Sequence, residues 1–304
     1  MSPTGVSQVY LTGSEDKENA TRLLLERSDL GDLSSKKVAL KANFNSADPF
    51  PASTHPDTLR ALVTALQAVG ARDLTLAERS GMGDTAVVLE KLGIFDLAAE
   101  LGVNTVVLDE EPASRWTHFE RTGTHWLRGF QLTNVVLEAD VVIQTCCCKT
   151  HRFGGNFTMS LKNSVGLVAK RMPGSLYDYM YELHGSPFQR LMIAEINAVY
   201  PVHFALMDAA KAFIAGGPDK GTLVEPGLML ASSDRVALDA AGVALLRSYG
   251  SESLAKKPIW EHDQIRRAAE LGVGAGSAEA VELVPLDDAG RAGAERIQRE
   301  LTAE

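Results

Sequence analysis

Residues Ala139 to Thr145, reading ADVVIQT, form a nearly continuous apolar run of strand length with polar sequence beyond it. Such a strand is buried on both faces, which a sheet covered by helices on both sides provides and a half-exposed antiparallel sheet does not. The preceding sequence supplies the rest of that architecture. Lys37 to Lys41 reads as a strand, and Pro56 to Val69 places Leu59, Leu62, Val63, Leu66 and Val69 at helical spacing. Pro56 suits a first helical turn and Gly70 a stop. Asp73 to Ala77 and Val103 to Leu108 are further strands, separated by helical sequence from Thr85 to Leu101 that breaks at Gly93. The alternation predicts an α/β fold with a mainly parallel, doubly wound sheet and flanking helices.

The second half continues with predicted helices over 156–168 and 188–199, strands over 203–207 and 227–230, and a helix capped by Ser233 or Asp234. A helix near Glu261 to Leu271, a strand from Ala280 to Pro285 and a polar helix complete it. A chain of 304 residues has room for two packed lobes. The expected division is an N-terminal α/β lobe over 1–150 and a second α/β lobe over 151–304, with the site at their junction.

Ligands of open parallel sheets collect beyond the carboxyl ends of the strands. The segments 41–45, 78–83 and 146–151 each lie just past a strand end, so they converge on one crevice. The richest is Cys146-Cys147-Cys148-Lys149-Thr150-His151, followed by Gly154 and Gly155 and then Ser160-Leu161-Lys162-Asn163. Two ammonium groups beside one crevice repel and lower each other's pKa, an arrangement that awaits an anion. Glycines permit close backbone approach, and amides opening the following helix add an anion-binding dipole.

The formal charge of −9 argues against nucleic acid or an anionic membrane as partner. No stretch reaches the roughly 20 apolar residues of a membrane span, and the N-terminal sequence lacks a basic end followed by an apolar run, so a cytoplasmic protein is expected. The three cysteines are consecutive, which fits a reducing compartment. The spacing G-x-G-x-x-G after the first strand is absent, which disfavours a dinucleotide. The oligomeric state is not legible.

With these residues in view, the chain resembles the large bacterial and archaeal family called domain of unknown function 362. The resemblance rests on LKANFN at 40–45, THPDTLRALVTALQAVGA at 54–71, ADVVIQTCCCKTH at 139–151, SLKNSVG at 160–166, LMDAAKAFIAGGP at 206–218, ASSDRVALDAAG at 231–242 and AAELGVG at 268–274. It implies a shared fold and site more than an activity. Many relatives carry a ferredoxin-like segment with repeated Cys-x-x-Cys spacing or an exported leader; this chain shows neither, which disfavours an iron–sulfur cluster. Relatives tend to have Pro-Lys-Leu before Lys-Thr-His, where this chain has three cysteines.

Three functional readings stay open. In the first, an enzyme of lyase, isomerase or decarboxylase type acts on a small anionic substrate. Lys149 and Lys162 then serve catalysis, His151 or His55 moves a proton, and Lys41, Asn43, Asn163, Glu78 and Asp208 bind substrate. In the second, Cys146, Cys148 and His151 hold a divalent metal, possible redox chemistry included, against the bland alternative that the thiols only pack. In the third, the crevice binds an anion without catalysis. For the other acids, Asp234 is expected to cap a helix, while Asp239 and Glu195 sit inside helices and supply either charge balance for the lysines or oxygen ligands for a divalent ion. His184 lies in a glycine-bounded loop placed to close over a ligand.

Overall fold

The computed structural model describes residues 5–154 and 156–303; Gly155, one of the paired glycines after His151, lies outside the described residues. Twelve strands occur among them: β1 (Ser7–Gly13), β2 (Lys37–Lys41), β3 (Asp73–Glu78), β4 (Asn104–Val107), β5 (Trp116–Phe119), β6 (Phe130–Thr133), β7 (Val141–His151), β8 (Asn156–Thr158), β9 (Phe204–Gly216), β10 (Gly221–Val224), β11 (Leu228–Ser232) and β12 (Val281–Pro285). Ten of them form one sheet with the order β12-β1-β11-β9-β7-β2-β3-β4, while β8 adds to β7 and β10 to β9. The run β9-β7-β2-β3-β4 is parallel throughout. β11 is antiparallel to both β9 and β1, and β12 parallel to β1. The fold is α/β, with a mostly parallel mixed sheet and flanking helices.

Position 150 is no break in this sheet. β7 itself spans it, and β1 from the N-terminus pairs with β11 and β12 from the last third of the chain.

All eleven residues of β7 are buried. It runs six residues further than the apolar pattern predicts, because β9 stays beside it to Lys149 and β8 folds back to pair with Lys149 through His151. Backbone groups of a polar stretch are thereby satisfied inside the protein. For the same reason the helix expected over 156–168 is not there. Those residues form β8, one helical turn at Ser160–Asn163 and a 3-10 turn at Ser164–Leu167.

Helices cover both faces. Pro56–Ala68, with Pro56 in the first turn, packs with Lys17–Leu25 over one face, where Leu40, Leu62, Leu66, Leu76 and Ile143 share a cluster. Arg235–Ser248 covers the other face; Val236, Leu238 and Ala241 share its cluster with Cys146, Cys148 and Met207. Gln189–Asn197 packs beside it around Trp126 and Phe130, close to the small β5–β6 ribbon. No helix among the described residues is long and apolar enough to cross a membrane.

Candidate functional site

Past Lys41 the parallel pairing of β2 with β7 ends at Gln144, and on that side β7 is next paired by β8, from Lys149. Side chains of a strand alternate faces. Thr145, Cys147, Lys149 and His151 therefore point one way, and Cys146, Cys148 and Thr150 the other. The loop after β2, the loop after β3 and the turn Ser160–Asn163 meet the first set. Together they enclose a cavity of about 320 Å³, lined by Lys41, Asn43, Asn45, Arg79, Lys149, His151, Lys162, Asn163 and His184 among others. No aspartate or glutamate is among its lining residues.

Four basic side chains reach this space, in different states. Lys41 is buried, donates to Glu78 Oε2 at 2.7 Å and to its neighbouring carbonyl Ala42 O at 2.5 Å, and is balanced by that carboxylate. Glu78 Oε1 also accepts from the Ala42 amide at 2.7 Å, so the acid ties the ends of β2 and β3 together. Burial pushes the Lys41 ammonium down and the Glu78 carboxyl up, and their mutual attraction opposes both shifts. Arg79, also buried, donates to the carbonyls of Val168 at 2.8 Å and Val165 at 2.6 Å. Lys149 donates to the carbonyl of Ala52. The Lys162 ammonium makes no hydrogen bond or ion pair with any described residue; burial, then Lys149 and Arg79, hold it down at about 8. Among the described residues no carboxylate pairs with Arg79, Lys149 or Lys162.

Two histidines complete the wall. His151 has a buried Nδ1 with no hydrogen-bond partner. Burial first, and then Lys162, His184 and Lys149, drive its pKa down to about 2, so the ring is neutral. The His184 ring shares Nδ1 with Met180 O at 2.7 Å, and burial and Lys162 lower its pKa too. It stands on the helix Tyr179–Gly185, not in a free loop.

Asn43 and Asn163 frame the site from the backbone side. Asn43 Nδ2 donates to Ala52 O at 3.1 Å, and its backbone N–H donates to Thr54 Oγ1 at 2.9 Å. Asn163 Nδ2 donates to Thr145 O at 3.1 Å. The turn that presents Lys162 and Asn163 is held from beneath by Asp239, which accepts from the amides of Ser160 at 2.8 Å and Leu161 at 3.1 Å. Burial raises Asp239 to about 7 against the pull of those two amides. These amides are therefore spent on a buried acid and offer nothing to a ligand, contrary to the expected helix-start contribution.

Lys41, Asn43, Lys149, His151, Lys162 and Asn163 are thus brought together, with Glu78 behind them. His55 and Asp208 are not. His55 caps the helix Pro56–Ala68, its Nδ1 accepting from the Asp57 amide at 3.1 Å. Asp208 is buried between Lys17 and Thr58 Oγ1, joining β9 to two helices. The metal set fails on the same alternation that builds the cavity. Cys146 and Cys148 lie in the apolar core beneath Arg235–Ser248, with Cys148 Sγ 3.8 Å from Gly242 O, while His151 faces away from them. Burial raises the pKa of all three thiols, which opposes the thiolate a metal needs. Among the described residues no three His, Cys, Asp or Glu side chains gather as metal ligands.

Asp234 does cap its helix, accepting from the amides of Val236 at 2.7 Å and Ala237 at 3.0 Å. Glu195 binds His125 at 2.6 Å and Arg267 at 3.2 Å, away from the lysines. Arg79 is a residue of the cavity that the sequence did not reveal. Its signal was its place, one residue past the end of β3, where the strand-end rule applies as it does to Lys41.

Three comparisons bear on this site. A family model described as Domain of unknown function (DUF362) matches residues 38–244. That span contains every residue lining the cavity. The chain is 26% identical over 189 residues to Thylakoid-associated protein sll1697 of Synechocystis sp., in a match taking in 61% of this chain and 54% of that one. The chain therefore spans about half the length of that curated relative. A solved structure, the lactate racemase apoprotein from Thermoanaerobacterium thermosaccharolyticum, aligns with TM-score 0.43 and 18% identity over 77% of this chain and 55% of its own. That likeness is too distant to carry a reading of activity.

Proposed function

From the premise that the chain belongs to the family described as Domain of unknown function (DUF362), we propose that its cavity is an enzyme site that binds a small anionic metabolite and moves a proton on it. One observation carries this reading. Arg79, Lys149 and Lys162 share a cavity without a lining acid, in a chain whose formal charge is −9. Unbalanced buried cations are costly unless a ligand supplies the opposite charge. The volume of about 320 Å³ lies at the small end of ligand pockets, which fits a metabolite rather than a nucleotide or a peptide.

The proton chemistry follows from the same crowding. A lysine at about 8 is divided between ammonium and amine near neutral pH, the range in which a general acid or base works best. His151 stays neutral while the site is empty, and an arriving anion offsets Lys149 and Lys162 and raises its proton affinity. Arg79 and Lys149 hold the negative charge; Lys162 and the free Nδ1 of His151 exchange protons with carbon or oxygen next to it. Proton transfer beside a stabilised anion is the common step of isomerases, lyases and decarboxylases.

Deuterium exchange tests this without knowledge of the product. Small hydroxy and oxo carboxylates are incubated with the protein in D2O, and label entering C–H bonds is followed by NMR. The wild type incorporates deuterium into at least one, and Lys149→Met and Lys162→Met lower the rate by about 10²–10⁴-fold, the usual span of an acid–base group, with the melting temperature retained. Full exchange rates in both variants would refute the assignment. Tight anion binding with no exchange would leave a binding module and no enzyme.

A further inference from the structure

The basic groups around the cavity are not equivalent. Lys41 is engaged by Glu78, Arg79 by the carbonyls of Val165 and Val168, and Lys149 by the carbonyl of Ala52. Lys162 alone of the four ends in the cavity with no partner among the described residues. Its backbone is held in place, because the turn Ser160–Asn163 is pinned at its start by Asp239 and at its end by Asn163 to Thr145 O. An amine with no partner, carried by a pinned turn beside two cations able to hold a carboxylate, has the layout of a nucleophile rather than of a charge anchor.

We propose that Lys162 forms an imine with the carbonyl group of an oxo acid whose carboxylate is held by Lys149 and Arg79. The idea deepens the anion-site reading and rests on it. The neutral amine nitrogen attacks the carbonyl carbon; a C–N bond forms, and the carbonyl electron pair goes to oxygen, which takes a proton. The nitrogen then gives up one proton, the oxygen takes a second and leaves as water, and the C=N bond closes. The nitrogen keeps its remaining proton, so the C=N product is the iminium. No oxidant or reductant is needed. The iminium accepts the electron pair released when an adjacent C–H or C–carboxylate bond breaks, which is the role wanted in an isomerase, lyase or decarboxylase.

Two features favour the first step. Burial and the neighbouring cations hold Lys162 at about 8, so a useful fraction of amine exists near neutral pH. His151 Nδ1, buried and unpartnered, lines the same cavity and is free to pass the protons that convert carbonyl oxygen to water.

Borohydride trapping tests the proposal on the full chain. The protein is incubated with pyruvate or acetoacetate, whose carbonyls lie one and two carbons from the carboxylate, then reduced with sodium borohydride and mapped by peptide mass spectrometry. Lys211 and Lys257, roughly half exposed and paired with Glu225 and Asp263 outside the cavity, give the background. The expected result is saturable labelling of Lys162 at least tenfold above those two with one or both probes, lost in Lys162→Met. Lys149→Met should reduce it about tenfold through loss of a carboxylate anchor. Absence of label at Lys162 with both probes, or labelling no greater than at Lys211 and Lys257, overturns the imine. Deuterium exchange separates the two readings: exchange that persists without trapping sinks the imine alone, whereas absence of both sinks the anion-site enzyme as well.

Discussion

Gly166 shows how closely the site is packed. A Cβ built there would lie 2.7 Å from Lys41 Cε, 3.0 Å from its Nζ and 3.3 Å from the Arg79 carbonyl. Such distances are well inside ordinary carbon contacts, so the added methyl displaces the lysine from Glu78 or shifts the loop after β3. Gly166→Ala is expected to cost about 1–3 kcal/mol, the usual range for overpacking, and to slow deuterium exchange at least tenfold. Gly185→Ala is the control, since nothing lies within 4 Å of a Cβ there. Urea melts and exchange rates on the two variants check it; equal behaviour would show that the cavity tolerates Lys41 out of place. At this scale the sequence was informative where residue type and strand-end position agreed, as for Lys41, Lys149 and His151. It misled where chemistry was inferred from type alone. His55 and Asp208 have the right groups, but their hydrogen bonds go to a helix start and to Lys17 and Thr58. Cys146 and His151 share one segment, yet a strand separates Cys148 and His151, three apart, onto opposite faces.

Between elements, the Lys41–Glu78 pair is the joint that sets the floor of the site. Both side chains are almost fully buried, at 3% and 0% exposure, so removing one charge strands the other. Glu78→Gln should destabilise the fold by about 3–5 kcal/mol, the range for breaking a buried pair. The double variant Lys41→Met/Glu78→Gln carries one more change, yet it should be more stable than Glu78→Gln alone, because no unpaired ammonium remains and the glutamine oxygen still faces the Ala42 amide. A double-mutant cycle in denaturant measures this directly, and additive losses would show that the two groups are not coupled. The strands that carry the pair were legible, since β2, β3 and the first part of β7 are apolar runs alternating with helical sequence. The turn that carries Lys162 was misread. The sequence predicts one helix over 156–168, but β7 needs a partner on its open edge, and pairing with β8 takes the residues a longer helix would use. That is tertiary hydrogen bonding overriding local preference. β1 was missed because its seven residues gain their burial from β11 and β12, more than 200 positions away.

On the scale of the whole molecule, an acidic chain encloses a basic cavity, and the protonation of that cavity couples to the stability of the fold. Lys162 is held at about 8, below the 10.5 usual for lysine, so between those values the unfolded chain binds more protons than the folded one. Stability from this group therefore rises as pH climbs from about 8 towards 10.5, and is lowest below 8, where the folded state carries the crowded ammonium in full. An anion in the cavity reverses the balance, because it favours the charged form. Sulfate, which keeps its charge throughout this range, should raise the melting temperature most below pH 8, and its increment should shrink as pH passes that value. Chloride at matched ionic strength corrects for general screening, which acts over about 8–10 Å at moderate salt and so weakens surface charges more than enclosed ones. In Lys162→Met the sulfate increment should be smaller and nearly constant with pH, since the group that titrates has gone. A wild-type increment that is equally large at pH 6.5 and pH 9.5 would mean that sulfate binds elsewhere, and that the cations around the cavity are not held for a negatively charged ligand.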